Sequence, residues 1–133
     1  MILTLRPDSI RLGGMKKLQL QRTDLLQGTL DLLVLRTLIF GPLHGYGIAK
    51  AIHQTSNEAL RIEFGSLYPA LRRLELKGWI SSKWETSDRN RKAKFYRLRS
   101  AGKRQLVKEE SKWEQFVAAM SGVLKSDPRV SQS

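Results

Sequence analysis

The chain has 133 residues, with 24 Lys or Arg against 12 Asp or Glu, a net charge of +12 and a pI near 10.5. That length supports one domain around one modest core, and the charge favours a polyanionic partner, nucleic acid first and an anionic membrane second. The absence of cysteine excludes disulfides and thiolate metal sites, and His44 and His53 have no carboxylates clustered beside them, so neither metal nor cofactor is expected.

Residues 1–23 show no sustained period and carry Pro7 and the pair Gly13-Gly14; they read as a flexible basic arm. Residues 24–40, DLLQGTLDLLVLRTLIF, are mostly apolar and end at Gly41-Pro42. The run is shorter than the roughly 18–20 residues that span a bilayer, and the N-terminus lacks the apolar core of a secretion signal. No membrane partner is expected, and the cytoplasm is the expected location. A helix this apolar must be buried on more than one side, so Leu26, Leu30 and Leu33 are candidates for cover by a second subunit.

Residues 44–56, HGYGIAKAIHQTS, predict a second helix with Ile48, Ala49 and Ile52 on its apolar face. Gly45 and Gly47 weaken its first turn and point to a close backbone approach there. Tyr46 and Lys50, four apart, share a face that can reach a phosphate. Residues 57–63 are a link, with Arg61-Ile62-Glu63 as a short strand.

The stretch Phe64–Trp79, FGSLYPALRRLELKGW, predicts a third helix. Ser66 is the expected cap, Pro69 the expected first-turn residue, and Gly78 the left-handed stop. At 100° per residue, Leu67, Ala70, Leu71 and Leu74 fall on one face, with Tyr68, Pro69, Arg72 and Arg73 on the other. Leu76 falls on the polar side, against the pattern. An apolar face backed by arginines and a tyrosine suits a helix in a DNA major groove.

Trp79–Glu85 and Phe95–Arg99 fit two short strands joined by the polar loop TSDRNRKAK. Three helices followed by a hairpin is the order of a winged helix-turn-helix. The fold is therefore expected to be mainly α with a small β-hairpin, over residues 24–99. The basic charge concentrates on the hairpin: residues 81–99 carry seven Lys or Arg against Glu85 and Asp88. Lys83, Arg89, Asn90, Arg91, Lys92 and Lys94 are candidate backbone contacts, and Ser66, Tyr68, Arg72 and Arg73 are candidates for the groove.

Residues 100–125 predict one long helix, with Ser100 as its cap. Leu106, Trp113, Phe116, Val117, Met120, Val123 and Leu124 form one stripe near a heptad. A small winged helix has little core to cover that stripe, so it points to a homodimer. Trp113 and Phe116 could also line a pocket for a flat, hydrophobic small-molecule effector. Residues 126–133 read as a disordered tail.

Four segments, LLQGTLDLLVL, GPLHGYGIAKAI, EFGSLYPALRRLELKGWI and RKAKFYRLRSAGKRQL, closely resemble the PadR family of bacterial transcriptional regulators. The resemblance runs from about Leu25 to Leu106 and more weakly through Leu124. It implies an N-terminal winged helix and a helical C-terminal part that makes a homodimer, in the short class with a single C-terminal helix. It implies mostly repressors that bind palindromic double-stranded operators and let go on a small-molecule or stress signal. Carried over, Tyr68 and Pro69 open the recognition helix, Tyr46 and Lys50 lie on the supporting helix, and Arg89 to Lys94 form the wing.

Other classes fare worse. No Ser/His/Asp spacing, glycine-rich phosphate loop or paired carboxylates is visible, so no catalytic residues and no enzyme are expected. A non-specific architectural or RNA-binding winged helix is the alternative, because such basic folds also bind without sequence preference. A pure interaction module using the last helix is a third reading.

Overall fold

The computed structural model describes residues 18–19, 24–127 and 129. Their elements run β1 (Leu18–Gln19), α1 (Asp24–Leu38), β2 (Leu43–His44), α2 (Gly45–Thr55), β3 (Leu60–Arg61), α3 (Phe64–Leu76), β4 (Ile80–Thr86), β5 (Lys92–Leu98) and α4 (Ser100–Lys125). The fold is mainly helical, with a three-stranded antiparallel sheet of order β2-β5-β4. Most of the expected arm and tail lies outside the described residues. Within the arm stretch, Leu18–Gln19 instead form a strand parallel to Leu60–Arg61.

One core holds the three N-terminal helices, the sheet and the start of α4 together. α1 contributes Leu30, Val34, Leu35 and Leu38; α2 contributes Ile48 and Ile52; α3 contributes Leu67, Ala70, Leu71 and Leu74; Ile80, Tyr96 and Leu106 close it. The four α3 residues are those that the helical period sets on one face, and Leu76 is exposed as that period requires. Two expected partner-facing residues, Leu30 and Leu106, belong instead to this core. They meet there because α4 starts beside the sheet and lays its first turns against α1. Leu33 is half-buried, and the side chain of Leu26 lies outside the described residues.

Helix ends follow backbone geometry more than the expected caps. α3 begins at Phe64 because the Glu63 carbonyl accepts from both Ser66 N and Leu67 N at 3.0 Å. Ser66 therefore stands inside the first turn and is not the cap. Pro69 falls in the second turn, where it cannot donate to the Gly65 carbonyl. The other end is as expected. Gly78 has φ +76°, Gly78 N donates to Glu75 O at 3.0 Å, and Trp79 N donates to Leu74 O at 3.1 Å, the paired bonds of a left-handed glycine stop. At α4 the N-cap is Arg99, with Ser100 already helical.

Gly102 is the most closely packed of the described glycines. A Cβ there would collide with the carbonyl of Trp79 and with Leu98 Cδ1. That carbonyl accepts the Arg99 N–H at 2.9 Å, which fixes the angle at which α4 leaves the sheet.

Candidate nucleic-acid interface

Three elements converge on one open groove of about 950 Å³: the N-terminal turn of α2, Tyr68 of α3, and the core-side face of the β4–β5 hairpin. Each is placed by a local cause. His44 caps α2, its Nδ1 accepting the Gly47 N–H at 3.0 Å, so the neutral ring carries its proton on Nε2. His44 also stands edge-on to Phe95, its cross-strand partner, with ring centres 5.1 Å apart. That cap was not legible in the sequence, where His44 reads simply as a helical polar group. Gly45 is buried under Tyr68: a Cβ would lie 2.5 Å from the phenol oxygen. The expected close approach at Gly45 is therefore made by Tyr68. The Tyr68 ring in turn stacks on Phe64, with centres 5.8 Å apart.

The hairpin is longer than expected. Its turn is only Ser87–Arg91, closed by Ser87 N to Arg91 O at 2.6 Å and Asn90 N to Ser87 O at 2.9 Å, with Asn90 at φ +60°. The ladder consequently extends to the pair Thr86–Lys92, so Lys92 and Lys94 are strand residues and not loop residues. Strand alternation then sorts the candidates. Ile80, Trp84, Lys92, Lys94 and Tyr96 share the face that turns from the core to the groove. Lys83 projects from the opposite face with Phe95, away from the groove it was expected to serve.

The groove collects Tyr46, Lys50, Tyr68, Arg89, Arg91, Lys92 and Lys94 from the expected set, against one acidic residue, Asp88. Asn90 sits exposed at the turn, and Pro69 and Arg72 are exposed on α3 beyond the groove. Ser66 is half-buried in the first turn of α3. Arg73 departs from expectation. Its Nη2 donates to Asp31 Oδ1 of α1 at 2.7 Å, so this guanidinium ties α3 to α1. The helical wheel places Arg73 at the edge of the polar face, and Asp31 draws it inward. Burial raises the Asp31 pKa above 3.8, outweighing the opposing pull of Arg73 and Lys77. Burial likewise pushes the Tyr96 phenol upward, helped by nearby Glu75 and Tyr68. Arg97 is also taken, by Glu85 at 2.7 Å.

A second groove of about 240 Å³ lies between α1 and α4, lined by Gly28, Thr29, Leu32, Glu109, Lys112, Trp113 and Phe116. Trp113 is half-buried and its ring centre lies 5.9 Å from that of Phe116. Beyond it Phe116, Val117, Met120, Val123 and Leu124 are all exposed.

The model of the PadR-like transcriptional regulator family matches residues 34–108, more than half of the chain. The chain belongs to this family. The match takes in α2, α3, the hairpin and the first turns of α4, and stops short of Trp113 and the exposed stripe. The PadR-like chain is 32% identical over 92 residues to an uncharacterized protein of Lysinibacillus sphaericus, covering 69% of this chain and 84% of that one. Among solved structures it resembles a PadR family transcriptional regulator from Eggerthella lenta, at 32% identity and TM-score 0.65, covering 76% of this chain and 86% of that one. It also resembles a transcriptional regulator from Clostridium thermocellum, at 28% identity and TM-score 0.68, covering 75% and 97%. The family and these neighbours are transcriptional regulators and not enzymes. No helix of the described residues is long and apolar enough to cross a membrane.

Proposed function

We propose that this PadR-like chain is a sequence-specific DNA-binding regulator, a repressor acting as a homodimer on an inverted-repeat operator. The observation that carries the reading is the groove, where five Lys or Arg side chains and three exposed aromatic rings meet beside the exposed face of α3. In it α3 enters the major groove and offers Arg72 to a base edge, an arginine–guanine pair being worth about 1–3 kcal/mol of discrimination. Tyr68, Tyr46 and Lys50 hold the backbone beside α2, and Arg89, Arg91, Lys92 and Lys94 hold it along the wing. Arg73 and Lys83 leave the set of DNA contacts on geometric grounds.

The dimer reading rests on α4. A 26-residue helix is about 39 Å long, and its outer half carries an apolar stripe left exposed in the single chain. A second copy of that stripe, together with half-buried Leu33 of α1, covers it and sets two α3 helices about one turn of DNA apart. The groove beside Trp113 and Phe116 adjoins this stripe. A flat apolar effector seated there would alter the angle between subunits, and thus release DNA.

The test is selection of genomic fragments by the purified chain, followed by footprinting and a salt titration. Protection of an inverted repeat is expected. Affinity should fall by about 10³–10⁵ between 50 and 200 mM salt if six to ten phosphates are met. Equal binding to random duplex or structured RNA would favour the non-specific alternative. Binding indifferent to salt would remove the reading altogether.

A further inference from the structure

Trp84 is the least covered tryptophan of the chain, 65% exposed, while Trp79 and Trp113 are half-buried. It lies on the same hairpin face as Ile80 and Tyr96, but above the core, facing the groove with Tyr46, Tyr68 and Lys92. Its cross-strand partner is Lys94. Cross-strand pairing does not account for it, because the Lys94 ammonium sits 5.9 Å from the Tyr96 ring centre and so leans toward the core. The Trp84 indole makes no hydrogen bond or ring contact among the described residues. Leaving so large an apolar surface in water is unfavourable, and the fold gives it nothing to cover.

An indole offers a flat apolar face and one N–H donor. Those two features match the two parts of a nucleotide backbone unit, the sugar and the phosphate. We propose that Trp84 is a DNA-contacting residue that packs its ring on a deoxyribose of the duplex and donates its Nε1–H to the adjoining phosphate. Lys92, on the same face of the hairpin, neutralises charge on that strand. The inference rests on the DNA-binding reading above and goes beyond it in one respect. Trp84 supplies affinity by burying apolar area, which displaces no counterions, whereas each lysine acts through counterion release. The two contributions therefore respond differently to salt.

The experiment uses the full chain and a genomic duplex recovered with it, with Kd measured by fluorescence anisotropy from 50 to 200 mM salt. W84A should weaken binding about tenfold or more at every salt concentration, with the slope of log K against log salt unchanged. K92A, which removes one lysine from each subunit of the dimer, should lower the magnitude of that slope by about two. W84F, which keeps a flat ring and loses the donor, should recover part of the loss. A second readout does not depend on the alanine variant: the fluorescence present in wild type and missing from W84F should be quenched by the duplex. Binding by W84A within twofold of wild type, a slope that falls with W84A as it does with K92A, or fluorescence indifferent to the duplex would each overturn the assignment. A wild-type chain that binds no duplex removes the proposed function and this inference with it. A wild-type chain that binds while W84A binds equally removes only the inference.

Discussion

The same change, glycine to alanine, should have opposite consequences at Gly45 and Gly102, because what a new Cβ would strike differs. At Gly102 it strikes the backbone carbonyl of Trp79 and the side chain of Leu98. The carbonyl cannot retreat freely, since it accepts the Arg99 N–H at 2.9 Å and lies next to the glycine stop of α3. Alanine gains about 1 kcal/mol of helix propensity over glycine. Against that stand an overpacking cost of about 1–3 kcal/mol and about 1 kcal/mol for a weakened hydrogen bond. The balance is a loss of roughly 2 kcal/mol, or about 6–10 °C in Tm. At Gly45 the new Cβ meets only the end of the Tyr68 ring, which is half exposed and can swing outward. The cost to stability should stay under about 1 kcal/mol, but Tyr68 would leave its place in the groove.

Thermal unfolding followed by circular dichroism, at one fixed protein concentration because association raises Tm, gives the first readout. Anisotropy on a duplex gives the second. Gly102→Ala should lower Tm while the fraction still folded binds DNA normally. Gly45→Ala should lower Tm by no more than about 3–5 °C and weaken binding. A Gly102→Ala chain as stable as wild type, or a Gly45→Ala chain that loses as much stability as Gly102→Ala, would refute the packing argument.

Adjacent arginines should separate in the same way: Arg72→Ala should cost DNA affinity and sequence preference without stability, while Arg73→Ala should destabilise by about 1–3 kcal/mol by stranding Asp31; urea denaturation and anisotropy tell them apart. Asp31 also makes a pH prediction. Its folded pKa is raised, so between 3.8 and that higher value the folded state binds more protons than the unfolded chain. Its contribution is complete below 3.8 and is lost as pH rises through the raised value. The stability of wild type minus that of Asp31→Asn should fall across this window and then stay flat; a difference that rises with pH would contradict the burial argument. For the dimer, Phe116→Glu should give a still-folded monomer by analytical ultracentrifugation, with a Tm that no longer depends on protein concentration, because Phe116 lies on the exposed stripe and outside the core.

What the sequence could show and what it could not divide along a physical line. Periodicity sees whether a residue belongs on an apolar face, so the four buried residues of α3, the exposed Leu76 and the hairpin were legible. It sees neither which long side chain finds a partner on another helix nor where a ladder ends. Arg72 and Arg73 differ by one position in a run of identical chemistry, and only Asp31, 42 residues upstream, distinguishes them. Lys83 and Lys92 look equivalent as charges near a wing, and only the length of the turn puts them on opposite faces. Leu30 and Leu106 have the spacing of an interface, and only the departure angle of α4, set at Gly102, brings them into the core.

These displacements all act in one direction. Arg73 and Arg97 are consumed by ion pairs and Lys83 is turned away, so much of the hairpin and α3 charge counted in the sequence is not offered to a single surface. Of what remains, Lys50, Arg89, Arg91, Lys92 and Lys94 lie within one groove with Tyr46, Tyr68 and Trp84, and Arg72 is exposed beyond it. A uniformly basic surface would bind any polyanion in many registers. Under the proposed function, a smaller set of cations, concentrated in one groove and interrupted by flat apolar rings, would hold a backbone in few registers, and register is what α3 would need before Arg72 could tell one base pair from another.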